Sequence, residues 1–508
     1  MPNRKPFARA LTVGLGFFLG GALPGATPAA PAPPARPNVL IVMIDDCPYN
    51  FIGVDQDSHV PTPNIRRLAA RGTWFSRGYN DAPICCASRT ALLTGVHATR
   101  SGVYYNNQAY RRAATFIAQV TNLPQLFRAN GYLTIGYGKI AHNSFGADEA
   151  GAFTPGYYKY LDNPADVTHP DHELAQHLIP GSLHSVPSPA TDNWAWGVLP
   201  DDWDRDDPTK LQQDTEQANR TIAILREKHD QPFFMICGFY RPHGPWTVPQ
   251  RYYAPFPLES IQLPKGYRAD DLEDLPKPAR WIATNRREHA AVIAAGMWKK
   301  AIQAISASTV YVDEQVGRVL DALEQGPNNR DTIVIFAGDN GFHTGEKDHW
   351  LKYALWEQTC RVPFGISIPG MPVQEVRTPV SLLDIYPTLL ARCGLKPPET
   401  HQLDGVDLSD LLAGRTQERG SPVLSTYGRG NHSLRNARYR LIHYRNGDEE
   451  FYDEQNDPYE FTNVADDPRF AAAKAELAKA LPTIEAPDIA KPPPALKTAA
   501  WEDEAFEK

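Results

Sequence analysis

Five short runs set the frame of this chain: Val39–Ile44, Leu133–Tyr137, Phe233–Phe239, Thr332–Phe336 and Phe364–Ile368 are apolar at nearly every position. A strand covered on one face alternates apolar and polar residues, so near-continuous apolar runs mark strands buried on both faces. Helical periodicity fills the stretches between and around them, at Pro63–Arg71, Leu123–Ala129, Lys210–Lys228, Glu288–Glu324 (broken once) and Ser381–Cys393. Strands alternating with helices predict an α/β domain, a large and mostly parallel sheet flanked by helices. Beyond residue 400 the pattern changes. Arg438–Tyr444, the turn Asn446-Gly447 and Glu450–Asp453 read as a hairpin, because Asn-Gly suits a type I′ turn, and Phe470–Leu481 reads as an amphipathic helix.

The two ends are expected to stand outside this fold. Arg4, Lys5 and Arg9 precede an apolar run from Ala10 to Leu23 and then a segment rich in Ala and Pro. That order describes a secretory signal peptide, placed here at residues 1–30 and followed by a Pro/Ala linker over 31–36. The run is too short to span a bilayer comfortably, so a secreted or periplasmic protein with no membrane contact after cleavage is expected. The catalytic domain is assigned to 37–400, a smaller C-terminal α+β subdomain with a short antiparallel sheet to 401–490, and a loosely held tail to 491–508. Six cysteines in 508 residues form no disulfide framework, and Cys237 and Cys393 read as small core residues. Fifty-one basic against 59 acidic residues give a net charge of −8, which does not favour nucleic acid as a partner.

Chemistry concentrates at two strand ends and one turn. Asp45-Asp46 closes the first apolar run and Asp339-Asn340 follows another. Ligands in α/β sheets bind at the carboxyl ends of strands, where the backbone bends and neighbouring side chains can reach one crevice. These oxygens suit calcium or magnesium, whereas no clustered His or Cys set suggests zinc. Between the two pairs lies Pro83-Ile84-Cys85-Cys86-Ala87-Ser88-Arg89, a nucleophile candidate beside the predicted metal site. Residues 145–205 and 245–285, rich in Pro, Gly, His, Trp and Tyr, read as long functional loops. Within or beside them Trp194, Trp196, Trp246 and Arg241 are candidates for sugar recognition, since aromatic faces suit sugar rings. His349-Trp350 is a candidate pocket wall.

The Cys85…Arg89 spacing resembles the signature of the type I sulfatases, with Ala87 where that family usually carries proline. The resemblance extends over roughly residues 37–465 and is nearest to the iduronate-2-sulfatase-like branch. Besides Asn38–Asp46 and Cys85–Gly95, it rests on Pro61–Ala69, Gly136-Tyr-Gly-Lys139-Ile-Ala-His142, Arg241-Pro-His243, Gly338–Glu346 running on to Lys352, and Tyr452–Asn463. It implies the alkaline-phosphatase-like fold and a Cys85 oxidised to formylglycine by a maturation enzyme. Of the two adjacent cysteines, only Cys85 lies four positions before Arg89. One hydroxyl of the hydrated aldehyde would attack sulfur, the alcohol would leave, and the second hydroxyl would expel sulfate. The resemblance further implies Ca2+ held by Asp45, Asp46, Asp339 and Asn340 together with position 85, with Mg2+ as an alternative. Arg89 would hold the diol. Lys139, Lys352 and His243 would contact sulfate, with His142 as base and Lys352 or His243 as acid. The substrate expected is a sulfated carbohydrate. Two alternatives stay open: a phosphate or phosphonate ester hydrolase of the same superfamily, and an unmodified binding homologue.

Overall fold

A computed structural model describes residues 36–489 except 56–57, 143–149, 161–176, 186–194, 206, 208 and 286. The expected signal peptide, nearly all of the linker, the tail and Trp194 lie outside the described residues. The described main sheet has nine strands: β1 Asn38–Ile44, β2 Thr73–Tyr79, β3 Leu133–Gly138, β4 Tyr158–Tyr160, β5 Phe233–Gly238, β6 Thr332–Gly338, β7 Arg361–Ser367, β8 Gln374–Val376 and β9 Val380–Ser381. Their order is β8-β2-β7-β6-β1-β5-β3-β4, with β9 also pairing to β2. Every pairing is parallel except the two made by β7. The fold is therefore the mostly parallel α/β sheet expected from the apolar runs.

The central strands β1, β5 and β6 are buried along almost their whole length. Alternate residues feed two cores. Val39, Ile41 and Met43 face one with Ile333 and Ile335, and Leu40, Val42 and Ile44 face the other with Val334 and Phe336. Among the helices are α1 Pro63–Ala69, α2 Cys85–Thr94, α3 Gln213–Leu225 and α4 Trp298–Gln325. The break expected inside Glu288–Glu324 falls between Glu288–Ala294 and α4, at Ala295–Met297. The helix α2, all ten of whose residues are buried, has no periodic signature because no face of it meets solvent.

Strand β2 is not among the predicted strands. Its Ser76, Arg77 and Gly78 interrupt the apolar run, and its middle is only half buried. The C-terminal part contains the predicted hairpin, Tyr439–His443 with Glu449–Asp453, extended by Val423–Thr426 and His432–Arg435 into a four-stranded antiparallel sheet. This sheet is tied to the turn before α2, where Thr426 N donates to Asp81 O at 2.8 Å and Ser425 Oγ to Asn80 O at 2.5 Å. Buried Arg440 pairs with Glu357 of the α/β part and, within the C-terminal part, with Glu454 and Glu460. All six cysteines are buried and unbridged.

Candidate active site

The ends of β1 and β6 and the first turn of α2 meet in one buried crevice. Asp46 takes φ 52°, a left-handed turn that Asp tolerates better than most residues. With the chain turned there, both carboxylates of Asp45-Asp46 approach Cys85, whose Sγ lies 3.4 Å from Asp45 Oδ1 and 3.6 Å from Asp46 Oδ1. Asp339, one residue past β6, accepts from Asp46 N at 3.2 Å and from Arg89 Nε at 2.7 Å. Ser88 Oγ donates to Asp339 O at 2.6 Å, which pins α2 to the end of β6.

Three buried cations balance the three carboxylates. Lys139 Nζ pairs with Asp45, and Lys352 Nζ pairs with Asp46 and lies 2.7 Å from Cys85 Sγ. Arg89 pairs with Asp339 and donates to Lys139 O; its second terminal nitrogen reaches Asp45 only at 3.6 Å, an ion pair too long for a hydrogen bond. Lys139 reaches this point where the paired ends of β3 and β5 lie close together. A Cβ on Gly238 would lie 1.9 Å from Lys139 O, so only glycine lets the two strand ends come this close.

These contacts set the charges. Burial pulls Asp45 upward, but Lys139 and then His243 overcome it and hold its carboxyl well below the usual carboxylate range. Asp46 is lowered in the same way, burial being overcome by Lys352 and His243. Asp339 is raised, because burial outweighs Arg89. Burial, then the Asp45 charge, pushes the Cys85 thiol well above its ordinary value despite both lysines. Burial and the charges of Lys139, Lys352 and Arg89 push His142 well down, so its imidazole is neutral, and its Nδ1 is buried without a hydrogen-bond partner. His243 lies with Nε2 3.3 Å from Asp46 Oδ2, and burial lowers it too.

A cation fits this donor set. Ligand atoms of Asp45, Asp46, Cys85 and Asp339 lie within 4.8 Å of one another. The Asn340 amide nitrogen donates to Asp46 Oδ1 at 2.8 Å, while Asn340 Oδ1 is buried with no partner. A buried orphan carbonyl oxygen beside three carboxylates is what an oxygen-seeking divalent ion would satisfy.

The structure therefore brings together Asp45, Asp46, Cys85, Arg89, Lys139, His142, His243, Asp339, Asn340 and Lys352. Three residues expected to bind substrate are as deeply buried as the cluster itself. Arg241 is 3% exposed and donates to His243 O and Thr247 O, both at 3.2 Å. Trp246 is 2% exposed, with Nε1 on Pro242 O at 2.9 Å. Both hold the loop that carries His243. His349 is 2% exposed; Nε2 lies 2.8 Å from Lys352 O and Nδ1 3.3 Å from Ala283 O, so it holds the lysine's backbone. Trp196 is likewise buried.

Sequence reasoning missed Asp214. From the first turn of α3 its carboxylate accepts from Tyr240 N at 2.7 Å and Arg241 N at 2.8 Å, anchoring the His243 loop from below. An acidic residue in a first helical turn is too common to have signalled this.

A buried anionic and cationic cluster around one nucleophile candidate, at the strand ends of a mostly parallel sheet, defines a hydrolase of the alkaline-phosphatase-like fold. Residues 37–395 match the family described as Sulfatase, and residues 345–486 match the C-terminal region described as N-sulphoglucosamine sulphohydrolase, C-terminal. The chain belongs to the sulfatase family, and it is an enzyme of that kind. A sulfatase of Formosa agariphila is 33% identical over 88% of this chain and 86% of its own length. The human iduronate 2-sulfatase is 28% identical over 83% of this chain and 76% of its own. Among solved structures, the phosphonate monoester hydrolase of Agrobacterium radiobacter superposes with a TM-score of 0.68 at 22% identity, covering 87% of this chain and 94% of that one. No helix among the described residues is long and apolar enough to cross a membrane.

Proposed function

We propose that this enzyme releases inorganic sulfate from a sulfated carbohydrate, with position 85, matured from cysteine to formylglycine, as nucleophile. The observation that carries this reading is the convergence of Asp45, Asp46 and Lys352 on the Cys85 side chain at the start of α2. The thiol itself is a poor nucleophile there. Burial and Asp45 keep it protonated, and a thiol attacks as thiolate. A hydrated aldehyde at the same position would supply a hydroxyl nucleophile instead.

Asp45, Asp46, Asp339, Asn340 and position 85 would hold a Ca2+ ion, which when bound adds positive charge where sulfate oxygens gather. Lys139, Lys352 and His243 ring the same point and stabilise charge on the transferring group. Arg89 fixes Asp339 and the end of β3. His142, whose Nδ1 is buried without a hydrogen-bond partner, would take the proton. Lys352 or His243 would give one to the leaving oxygen. Arg241 and Trp246 hold the loop that carries His243, and His349 holds the backbone of Lys352. Residues 37–400 would form the catalytic part and 401–490 the subdomain that braces it. The leader over residues 1–30 supports export to the periplasm or beyond, where a sulfated glycan and not nucleic acid would be met.

A phosphate or phosphonate monoester presents the same tetrahedral anion, and the likeness to a phosphonate monoester hydrolase favours keeping that second reading. The test is free sulfate release from defined sulfated saccharides, set beside turnover of matched aryl sulfate and aryl phosphate. Faster phosphate than sulfate turnover would refute the sulfatase reading of this site.

A further inference from the structure

A second feature lies on the β8–β2 edge of the main sheet, beside α1. There a groove of 590 Å³ is lined by Arg66, Arg77, Arg361 and Arg377 against two carboxylates, Asp55 and Glu375. Its size lies in the ~300–1,000 Å³ span of ligand pockets, room for about one or two sugar units of a longer chain. Not all the arginines are neutralised. Arg361 pairs with Asp55 at 2.9 Å and with Glu357, outside the groove lining, at 3.7 Å. Arg377 pairs with Glu375 at 3.1 Å, but the two side chains are 72% and 46% exposed. Such an open pair is worth little and exchanges readily for another anion. Arg66 donates to Gly53 O, and Arg77 donates to Ala437 O at 2.7 Å. A carbonyl orients a guanidinium without cancelling its charge. The groove thus carries an excess of two positive charges on a chain whose net charge is −8.

The groove is separate from the catalytic crevice. None of its six charged residues shares a described hydrogen bond or ion pair with Cys85, the three carboxylates, Asn340, Lys139 or Lys352. It is still connected to that end of the sheet, because Arg361 stands opposite Tyr79, the last residue of the strand that leads to the Cys85 turn. Guanidinium groups bind sulfate and carboxylate through paired N–H donors. A polymer bearing several such groups, held here, would present its sulfate esters to the crevice at raised local concentration.

We infer that this arginine groove is a second binding site for a polyanionic glycan, which holds a sulfated chain while one of its esters is hydrolysed elsewhere on the molecule. The inference rests on the proposed sulfated-carbohydrate substrate. The site adds affinity for polymers and nothing for small esters.

The experiment compares the enzyme with its Arg77→Ala/Arg377→Ala variant for binding of dextran sulfate, with unsulfated dextran as control, and for turnover of a small sulfate ester that the parent hydrolyses. Affinity for dextran sulfate should fall at least about tenfold and lose part of its salt dependence, while kcat/KM on the small ester stays within about twofold. Should the double variant fail to fold, Arg377→Gln alone, at an exposed side chain, should give a smaller loss in the same direction. Unchanged dextran sulfate affinity in folded variants overturns the inference, as does equal binding of unsulfated dextran. Failure of the sulfatase reading would show separately, as a parent enzyme that releases no sulfate from any ester.

Discussion

At Cys85, two neighbouring thiols that look alike in sequence meet opposite surroundings. Cys85 faces Asp45, Asp46 and Lys352, whereas Cys86 faces Gln108 O at 3.6 Å in the apolar core. Burial raises Cys86 to about 11, leaving it an inert thiol. Cys85→Ala should therefore abolish sulfate release, and Cys86→Ala should keep most of it; steady-state assays on both variants check this. Lys352→Ala removes the cation nearest position 85 and should lower kcat at least about tenfold, as loss of one charge-stabilising donor does. Asp339→Ala removes a donor from the cation site and should lower bound calcium, read by elemental analysis of the purified protein. The acidic pairs Asp45-Asp46 and Asp339-Asn340 were legible in sequence because each closes an apolar strand. The burial of Arg241, Trp246 and His349 was not, since the carbonyls they meet belong to loops whose path only tertiary contacts decide.

Two loops deliver Lys352 and His243. The segment from His343 to Tyr353 carries four non-glycine residues with positive φ, Lys347, Asp348, Leu351 and Tyr353. Left-handed backbone at such residues costs energy and persists only where its surroundings enforce it. Here Lys347 is clamped by Asp271 at 3.2 Å and by Glu460 O at 2.6 Å, and His349 holds Lys352 O. The second loop, Tyr240–Thr247, hangs from Asp214. Asp214→Ala leaves two buried N–H groups unpaired, at about 1–3 kcal/mol each. It should lower kcat through a displaced His243 as well as Tm, while Asp214→Asn, which keeps one acceptor, should recover part of both. Strand β2 shows why an element can hide. Its half-buried middle, Ser76 and Arg77, belongs to the arginine groove, so the residues that broke the apolar run are those that face an opening.

Over the whole molecule, the C-terminal sheet braces the turn from which α2 springs. Asp81, in that turn, receives Thr426 N, caps the short helix Ala98–Ser101 through Ala98 N at 2.8 Å, and pairs with the His97 ring. Burial alone would lower His97, but Asp81 overcomes it and raises the ring above its ordinary 6.5. A raised imidazole stabilises the fold fully below its unfolded pKa, and the contribution is lost as pH rises through the folded value. His97→Ala should therefore lower Tm more at about pH 5 than at about pH 9; thermal melts across that range test the sign. The α/β frame was readable from five apolar runs and the C-terminal hairpin from Asn446-Gly447. The brace between them was not, because it joins residues far apart in sequence, Asn80 and Asp81 with Ser425 and Thr426, and Glu357 with Arg440.

What stands at position 85 in active enzyme decides the mechanism. Mass spectrometry of the tryptic peptide that ends at Arg89, taken from a preparation releasing sulfate, reads it directly. An aldehyde at position 85 beside an intact Cys86 thiol is the predicted result; an equally active preparation in which both residues are unmodified cysteine would contradict it.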